Sequence, residues 1–263
     1  MLPLIRLFLI SIIPFLLPAL SRATELPDCS RPLTLALHEH GLLYSAQTGA
    51  GIDKDFSDEL IRRSGCKVTV SILPRARIWQ LIESGALDFS LSGIANEERD
   101  KFAGFAWYFS NKYYLLLRKD SKVRQLNDFE KNSTLQLGAI RSFRYSNNVN
   151  NMIDKLNAEH RVTYASGLDP LYQILIANRI QGMIIEPFDY SQVENTAVRE
   201  LTLIIDTNDP AIPHGLIMSK KSLSSKEQEK WRALVEGMRL DGTVEAIFKK
   251  YLKPDLAKTM VNF

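Results

Sequence analysis

Several chemistries are missing from this sequence. Its 263 residues contain no P-loop, no dinucleotide-binding glycine fingerprint and no serine nucleophile elbow. Nucleotide-driven, hydride-transfer and serine-hydrolase chemistry therefore have no motif to rest on. No Lys/Arg-rich block stands out, and the formal net charge is only +3. Composition thus gives no sign of a nucleic-acid partner. Histidine is sparse at four residues. Two of them flank Glu39 in "HEH" (38–40), on one face of an extended segment, but the sequence offers no evident third metal ligand. The pair reads as satisfied or solvated, and neither a metal nor a cofactor is implied. What remains is a globular composition, 45% hydrophobic and 24% charged, with enough chain for one large or two modest domains.

One long apolar run is present, Leu7 to Leu20. Arg6 precedes it and Ser21-Arg22-Ala23 follows, with small residues where a signal peptidase needs them. Pro14 and Pro18 interrupt the run, which is short for a membrane span. It reads as a cleaved signal peptide, residues 1–23, of an exported chain. Asp28 before Cys29 argues against a lipoprotein. Arg6 and Arg22 leave with the leader, so the net charge falls from +3 to +1. Anion binding would then have to rest on local charge.

Cysteine is scarce too, with only Cys29 and Cys66. Each lies just before a strand-like run, "LTLAL" (33–37) and "VTVSIL" (68–73). If those strands are parallel neighbours, both thiols sit at one sheet edge and suit a disulfide in an oxidising compartment. Two buried free thiols are the other reading.

Strands and helices alternate along the chain, which implies a parallel sheet with helices on its faces. "DKDFSDELIRRSG" and "RARIWQLIESG" both read as helices closed by glycine. "LDFSLSG" follows as a third strand. The same grammar restarts after 113–120. "STLQLGAI", "RVTYA" and "GMIIE" read as strands, and "SNNVNNMIDKLN" and "LDPLYQILIANR" as helices. "PHGLIMSK" reads as a late strand. Two final helices follow, the first capped by Ser224 or Ser225. "LIESGALDFSLSG" (81–93) and "ILIANRIQGMIIE" (174–186) overlay without gaps as helix end, turn and strand. The echo suggests two similar α/β lobes. Ligands in such sheets bind beyond the carboxyl ends of strands, which here are Ser92-Gly93 and Glu186.

The segments "GIDKDFSDELIRRSGCKVTV", "LIESGALDFSLSGIANEER", "FAWYFSNKYYLLLRKD", "NRIQGMIIE" and "DGTVEAIFKKYL" occur in an order that resembles bacterial extracellular solute-binding proteins of family 3. These are the periplasmic amino-acid-binding partners of ABC importers. The resemblance implies a two-lobe α/β fold, each lobe a mostly parallel sheet flanked by helices, closing on a ligand like a hinge. Lobe 1 would comprise 24–117 and 214–263, and lobe 2 would comprise 118–213. The hinge segments would be "LLLRKD" and "PHGLIMSK".

The same resemblance assigns Arg99 to the ligand's α-carboxylate, beside the strand end at Ser92 and Gly93. Asn96 would cap a helix begun by Glu97-Glu98, and free backbone amides at the turn would join Arg99. Ala95 stands where a small hydroxyl residue often sits, and Asn96 where threonine is usual. There is also one residue fewer between glycine and arginine. Glu186 matches the acid that takes the ligand's ammonium group. Tyr44 falls where an aromatic covers the ligand. Arg75 falls where many relatives carry a stacking aromatic, and Arg144 and Tyr145 fall at a second-lobe helix N-terminus. Arg75, Arg99 and Arg144 together would make a cationic cleft suited to an acidic amino acid or a small di- or polycarboxylate.

The expected protein is a monomeric, non-enzymatic binder handing its solute to an inner-membrane ABC permease. Two alternatives stay open. One is a cyclohexadienyl-dehydratase-type enzyme on the same scaffold, with Glu186 or Glu39 as its acid. The other is a sensory binding protein feeding a receptor.

Overall fold

A computed structural model describes residues 25–189 and 197–263. The signal-peptide expectation, 1–23, lies outside the described residues. Among the described residues no helix is long and apolar enough to cross a membrane.

The first sheet is built from β1 (Leu33–Leu37), β2 (Val68–Ile72), β3 (Phe89–Gly93), β4 (Ala103–Asn111) and β10 (Ile212–Ser219), in the order β2-β1-β3-β10-β4. The second contains β5 (Tyr114–Arg118), β6 (Leu137–Ile140), β7 (Val162–Ala165), β8 (Gly182–Ile185) and β9 (Thr202–Asp206), in the order β7-β6-β8-β5-β9. The two orders correspond strand for strand. In each sheet three strands run parallel, and a fourth is antiparallel to both of its neighbours. That antiparallel strand is the one each sheet receives from the chain arriving from the other.

These pairings move the expected boundaries. β5 pairs with β8 and β9 inside the second sheet, so "LLLRKD" is lobe structure rather than hinge. The outward passage lies at 112–113, not after 117. The return lies within 207–211, because β10 already pairs with β4 from Ile212 onward.

The helices follow the expected patterning. In α1 (Ile52–Ser64) Phe56 and Leu60 turn inward, and Gly65 closes the helix at φ 69°. In α2 (Arg75–Ser84) Ile78 and Ile82 are buried, and Gly85 closes it at φ 79°. Both glycines sit in the left-handed region that a Cβ disfavours. The second lobe carries α3 (Leu126–Lys131), α4 (Asn147–Ala158), α5 (Leu168–Ile176) and α6 (Ala197–Leu201). The repeat seen in the sequence is structural, since α2–β3 and α5–β8 are the same helix–turn–strand unit.

The C-terminal helices α7 (Ser225–Leu240), α8 (Thr243–Lys249) and α9 (Pro254–Val261) return to the first lobe. Their Trp231, Met238 and Phe248 share a core with Phe56, Phe89 and Leu35. Ser224 is the α7 cap, its hydroxyl accepting the Glu227 N–H at 3.2 Å. Cys29 and Cys66 form a disulfide, with Cα atoms 4.9 Å apart. The parallel register Leu33↔Val68 brings the two strand entrances together, as the sequence spacing suggests.

Candidate functional site

The carboxyl ends of β1 and β3 face those of β6 and β8 across a cleft. The opening turn of the Arg99 motif is tighter than expected. Asn96 does cap it, accepting the Arg99 N–H at 2.9 Å. The expected helix, however, is a single 3-10 turn over Arg99–Lys101, because β4 begins at Ala103. Arg99 is 7% exposed. Its guanidinium lies 3.9 Å from the Trp79 ring centre. It donates to Ile94 O at 3.0 Å and, across the cleft, to Ser142 O at 3.2 Å. Glu98 pairs instead with Lys101. Among the described residues no carboxylate forms an ion pair with Arg99. Burial, with Arg75 and Arg144 nearby, pushes its pKa down to about 9. A buried guanidinium with only carbonyl partners is electrostatically prepared for an anion.

Arg75 opens α2 and turns into the same region. It donates to Leu91 O at 3.0 Å and Ser92 O at 2.8 Å, tying itself to the end of β3. Its guanidinium lies 5.2 Å from the Trp79 ring centre and 5.8 Å from that of Phe143. Burial lowers its pKa to about 10.

Ser92 holds a left-handed backbone at φ 52°. Its amide is not free, since it donates to Tyr108 Oη at 3.0 Å. Its hydroxyl donates to Asp53 Oδ1 at 2.7 Å, and Tyr108 donates to the same oxygen at 3.0 Å. At Gly93 a Cβ would fall 2.3 Å from Ile217 Cγ1, so only glycine lets β10 pass this closely.

Asp53, beneath Ser92, is fully buried. Burial raises its pKa from 3.8 to about 6, against the two hydroxyl donors and Arg75. The folded state therefore holds this proton more tightly than the unfolded chain does. Stability falls as pH climbs from about 4 through about 6, and the loss is complete above that window. Asp53→Asn keeps an oxygen for Ser92 and Tyr108 but cannot ionise. Urea unfolding at pH 4 and pH 7 should show the variant without this part of the pH slope. The difference should be of order 2–3 kcal/mol, and an unchanged slope would remove Asp53 as its source.

The opposite end of the cleft is acidic. Glu186 leaves β8 and meets His40 Nε2 with Oε1 at 2.5 Å. Its other oxygen accepts from Asn111 Nδ2. Asp189 lies three residues on. Its Oδ2 accepts the Glu186 N–H at 3.0 Å, and its Oδ1 lies 3.8 Å from His40 Nε2. Burial and the Glu186 charge raise Asp189 to about 7. Burial opposes charge on His40 too, but the Asp189 and Glu186 carboxylates outweigh it and raise its pKa. His38, stacked on His40 at 5.6 Å, is pushed well below the ordinary value by burial and then by Arg75.

Tyr113 sits between the two ends, its hydroxyl 2.8 Å from His214 Nε2. The Phe143 ring reaches over the cleft from the second lobe, 5.0 Å from that of His40.

Of the residues singled out in the sequence, Arg75, Ser92, Gly93, Arg99 and Glu186 therefore converge on the cleft. Tyr145 stands beside them, buried edge-on against Tyr113 at 5.1 Å. Ala95 lines an adjoining cavity of about 410 Å³ with Tyr145 and Ser146. Tyr44 does not face the cleft. It bridges His40 through the backbone and packs in the first-lobe core. The aromatic rings that stand beside Arg75, Arg99 and His40 are instead those of Trp79 and Phe143. Arg144 is exposed and reaches the cleft only through its long-range field. Sequence reading missed Asp53, Trp79, Asn111, Tyr113, Phe143, Asp189 and His214, and set His38 and His40 aside. Only Asp189, three residues beyond Glu186, carried a local signal.

The arrangement is polarised. Guanidiniums without carboxylate partners among the described residues stand at one end, a carboxylate pair stands at the other, and aromatic rings lie between them.

The sequence pattern of the bacterial extracellular solute-binding proteins, family 3, matches residues 40–254. No curated protein matches the chain by sequence. Among solved structures, an ancestral arginine-binding protein bound to arginine superposes with a TM-score of 0.71 at 18% identity, covering 86% of this chain and 100% of that one. The GluR0 ligand-binding core from Nostoc punctiforme, in complex with L-glutamate, gives 0.70 at 12% identity, covering 85% and 100%. A histidine kinase sensor domain with similarity to periplasmic binding proteins gives 0.73 at 14% identity, covering 86% and 98%. At these identities the likeness speaks for the fold alone.

Proposed function

Because the chain belongs to the bacterial extracellular solute-binding proteins of family 3, we propose that it captures a small carboxylate-bearing solute, an acidic amino acid or a small dicarboxylate, between its two lobes. One observation supports this reading above the others. Arg99 and Arg75 are buried side by side against Trp79, with only carbonyl oxygens as hydrogen-bond partners among the described residues. A ligand carboxylate replacing Ser142 O at Arg99 would exchange a neutral acceptor for a charged one. Glu186 would hold an ammonium group at the far end, and Tyr113 and Phe143 would flank the ligand body. Two guanidiniums face a Glu–Asp pair that His40, its pKa raised by those carboxylates, already partly balances, which favours an acidic over a basic solute.

Arg99 already bonds across the cleft to Ser142. Lobe closure and ligand capture are thus coupled through one side chain. The chain works as a periplasmic monomer without a cofactor, and the closed form is what an inner-membrane ABC permease receives. The structural likeness to a histidine kinase sensor domain favours delivery to a membrane receptor as the second reading.

Thermal-shift screening with glutamate, aspartate and small dicarboxylates, against neutral and basic amino acids, tests the ligand class. A true ligand at about 100 times Kd should stabilise by about 2.7 kcal/mol. Shifts with arginine or glutamine but none with acidic solutes would sink the acidic reading. For delivery, the liganded protein should stimulate the ATPase of the reconstituted permease. Turnover of a prephenate-like dicarboxylate would replace binding with dehydratase chemistry.

A further inference from the structure

The acidic end of the cleft holds more polar groups than a solute ammonium needs. His40, Glu186 and Asp189 are each buried, and their ligating atoms all lie within 4.8 Å of one another. Asp189 is 1% exposed, yet its Oδ1 has no hydrogen-bond partner among the described residues. That orphaned oxygen lies 3.8 Å from His40 Nε2. A Cβ at residue 41 would fall 2.8 Å from the same oxygen, so glycine there makes room for it. Asn111, hydrogen-bonded to Glu186, also has a buried Oδ1 without a partner among the described residues.

We infer that His40, Glu186 and Asp189 form a binding site for a divalent first-row transition metal at the lobe interface. One imidazole and two carboxylates are a donor set for such ions. Ligating atoms about 2.1 Å from a shared ion stand roughly 3–4 Å apart, which the spacing within the cluster allows after small side-chain movements. A dication also matches the two carboxylates in charge, which a single imidazole does not. The supporting contacts are in place, since Asn111 holds the second Glu186 oxygen and the Glu186 N–H orients Asp189. His40 comes from the first lobe, after β1. Glu186 and Asp189 come from the second, after β8. A bound ion therefore staples the lobes together. His40, one of the histidine pair that lacks a third ligand in the sequence, acquires two carboxylates only through the fold. A bound ion would take Glu186 from the solute's ammonium group, while the solute's carboxylate would still rest on Arg99 and Arg75, which are outside this cluster.

The test is calorimetric titration of chelator-treated, solute-free protein with Zn²⁺ and Mn²⁺, with Mg²⁺ as the hard-cation control. One equivalent of Zn²⁺ should bind and raise the melting temperature. Asp189→Asn and His40→Gln should each weaken it by about 10- to 100-fold, while Arg144→Ala, at an exposed residue outside the cluster, should leave it unchanged. Circular dichroism checks that each variant is folded. No Zn²⁺ or Mn²⁺ binding by the parent protein overturns the site. Equal binding by folded Asp189→Asn and His40→Gln does so too, because the ion would then sit elsewhere. The solute reading fails separately, through the ligand screen run with chelator present.

Discussion

Arg99→Ala should abolish solute binding while leaving the protein folded. In the proposed complex Arg99 is the residue whose guanidinium has only Ile94 O and Ser142 O to surrender. Truncating one side of a buried, hydrogen-bonded charge pair weakens binding by about 3–5 kcal/mol, at least roughly a hundredfold in Kd. Stability should change far less. Burial holds the Arg99 pKa near 9, which means the charged side chain is held in place against a desolvation penalty. Deleting it relieves that penalty as it removes two hydrogen bonds and the Trp79 contact. Calorimetry on Arg99→Ala beside Arg144→Ala decides the matter. The exposed Arg144 should change Kd by less than about threefold. Unchanged affinity in Arg99→Ala would remove Arg99 from the site.

Replacing Cys29 and Cys66 together by serine should lower stability by about 4 kcal/mol, the chain-entropy expectation for a loop of this length. The two residues are 37 apart in sequence, and the loop they close contains β1 and all of α1. For a chain of this size the melting temperature should fall by roughly 10 °C. The bridge lies at the strand entrances, opposite the carboxyl ends that form the cleft. Solute affinity of the still-folded variant at 25 °C should therefore stay within about threefold. Scanning calorimetry with parallel binding isotherms checks both halves. A shift below about 2 °C would show that the unfolded chain gains little freedom when the bridge is lost.

The fold was readable where local patterning and neighbouring strands coincide. The β1 and β2 runs, the glycine-closed helices α1 and α2, and the repeated unit at 81–93 and 174–186 follow from apolar spacing and glycine position. The cysteine bridge followed because adjacent parallel strands begin at the same edge. The hinge was misplaced by a few residues for an equally physical reason. "YYLLLRKD" is uniformly apolar at its centre, so periodicity marks a strand without saying which sheet it joins. Hydrogen bonding to β8 and β9 decides that.

The site was readable to a lesser degree. Glu186 stands at a strand end that the repeat and the family resemblance both point to, while Arg99 and Arg75 were reached through the resemblance. Tyr44 shows the limit of the approach. It follows the right strand, but the turn that pairs it with His40 sends its ring into the core. Phe143 and Trp79 take the aromatic positions from a loop and a helix with no motif.

The sequence by itself determined the class of molecule. Two α/β lobes of the same grammar follow from it, as do two cysteines placed at one sheet edge and an arginine just beyond a strand end. Each is encoded in short-range spacing or in the order of neighbouring elements. Only the tertiary structure decided what the cleft contains. Asn111 and Tyr113 enter from the crossing strand, His40 meets Glu186 and Asp189 from the other lobe, and Arg75 and Arg99 converge on Trp79. Most of these residues lie far apart along the chain. Their charges and pKa values are set by burial and by one another, which the sequence does not encode locally.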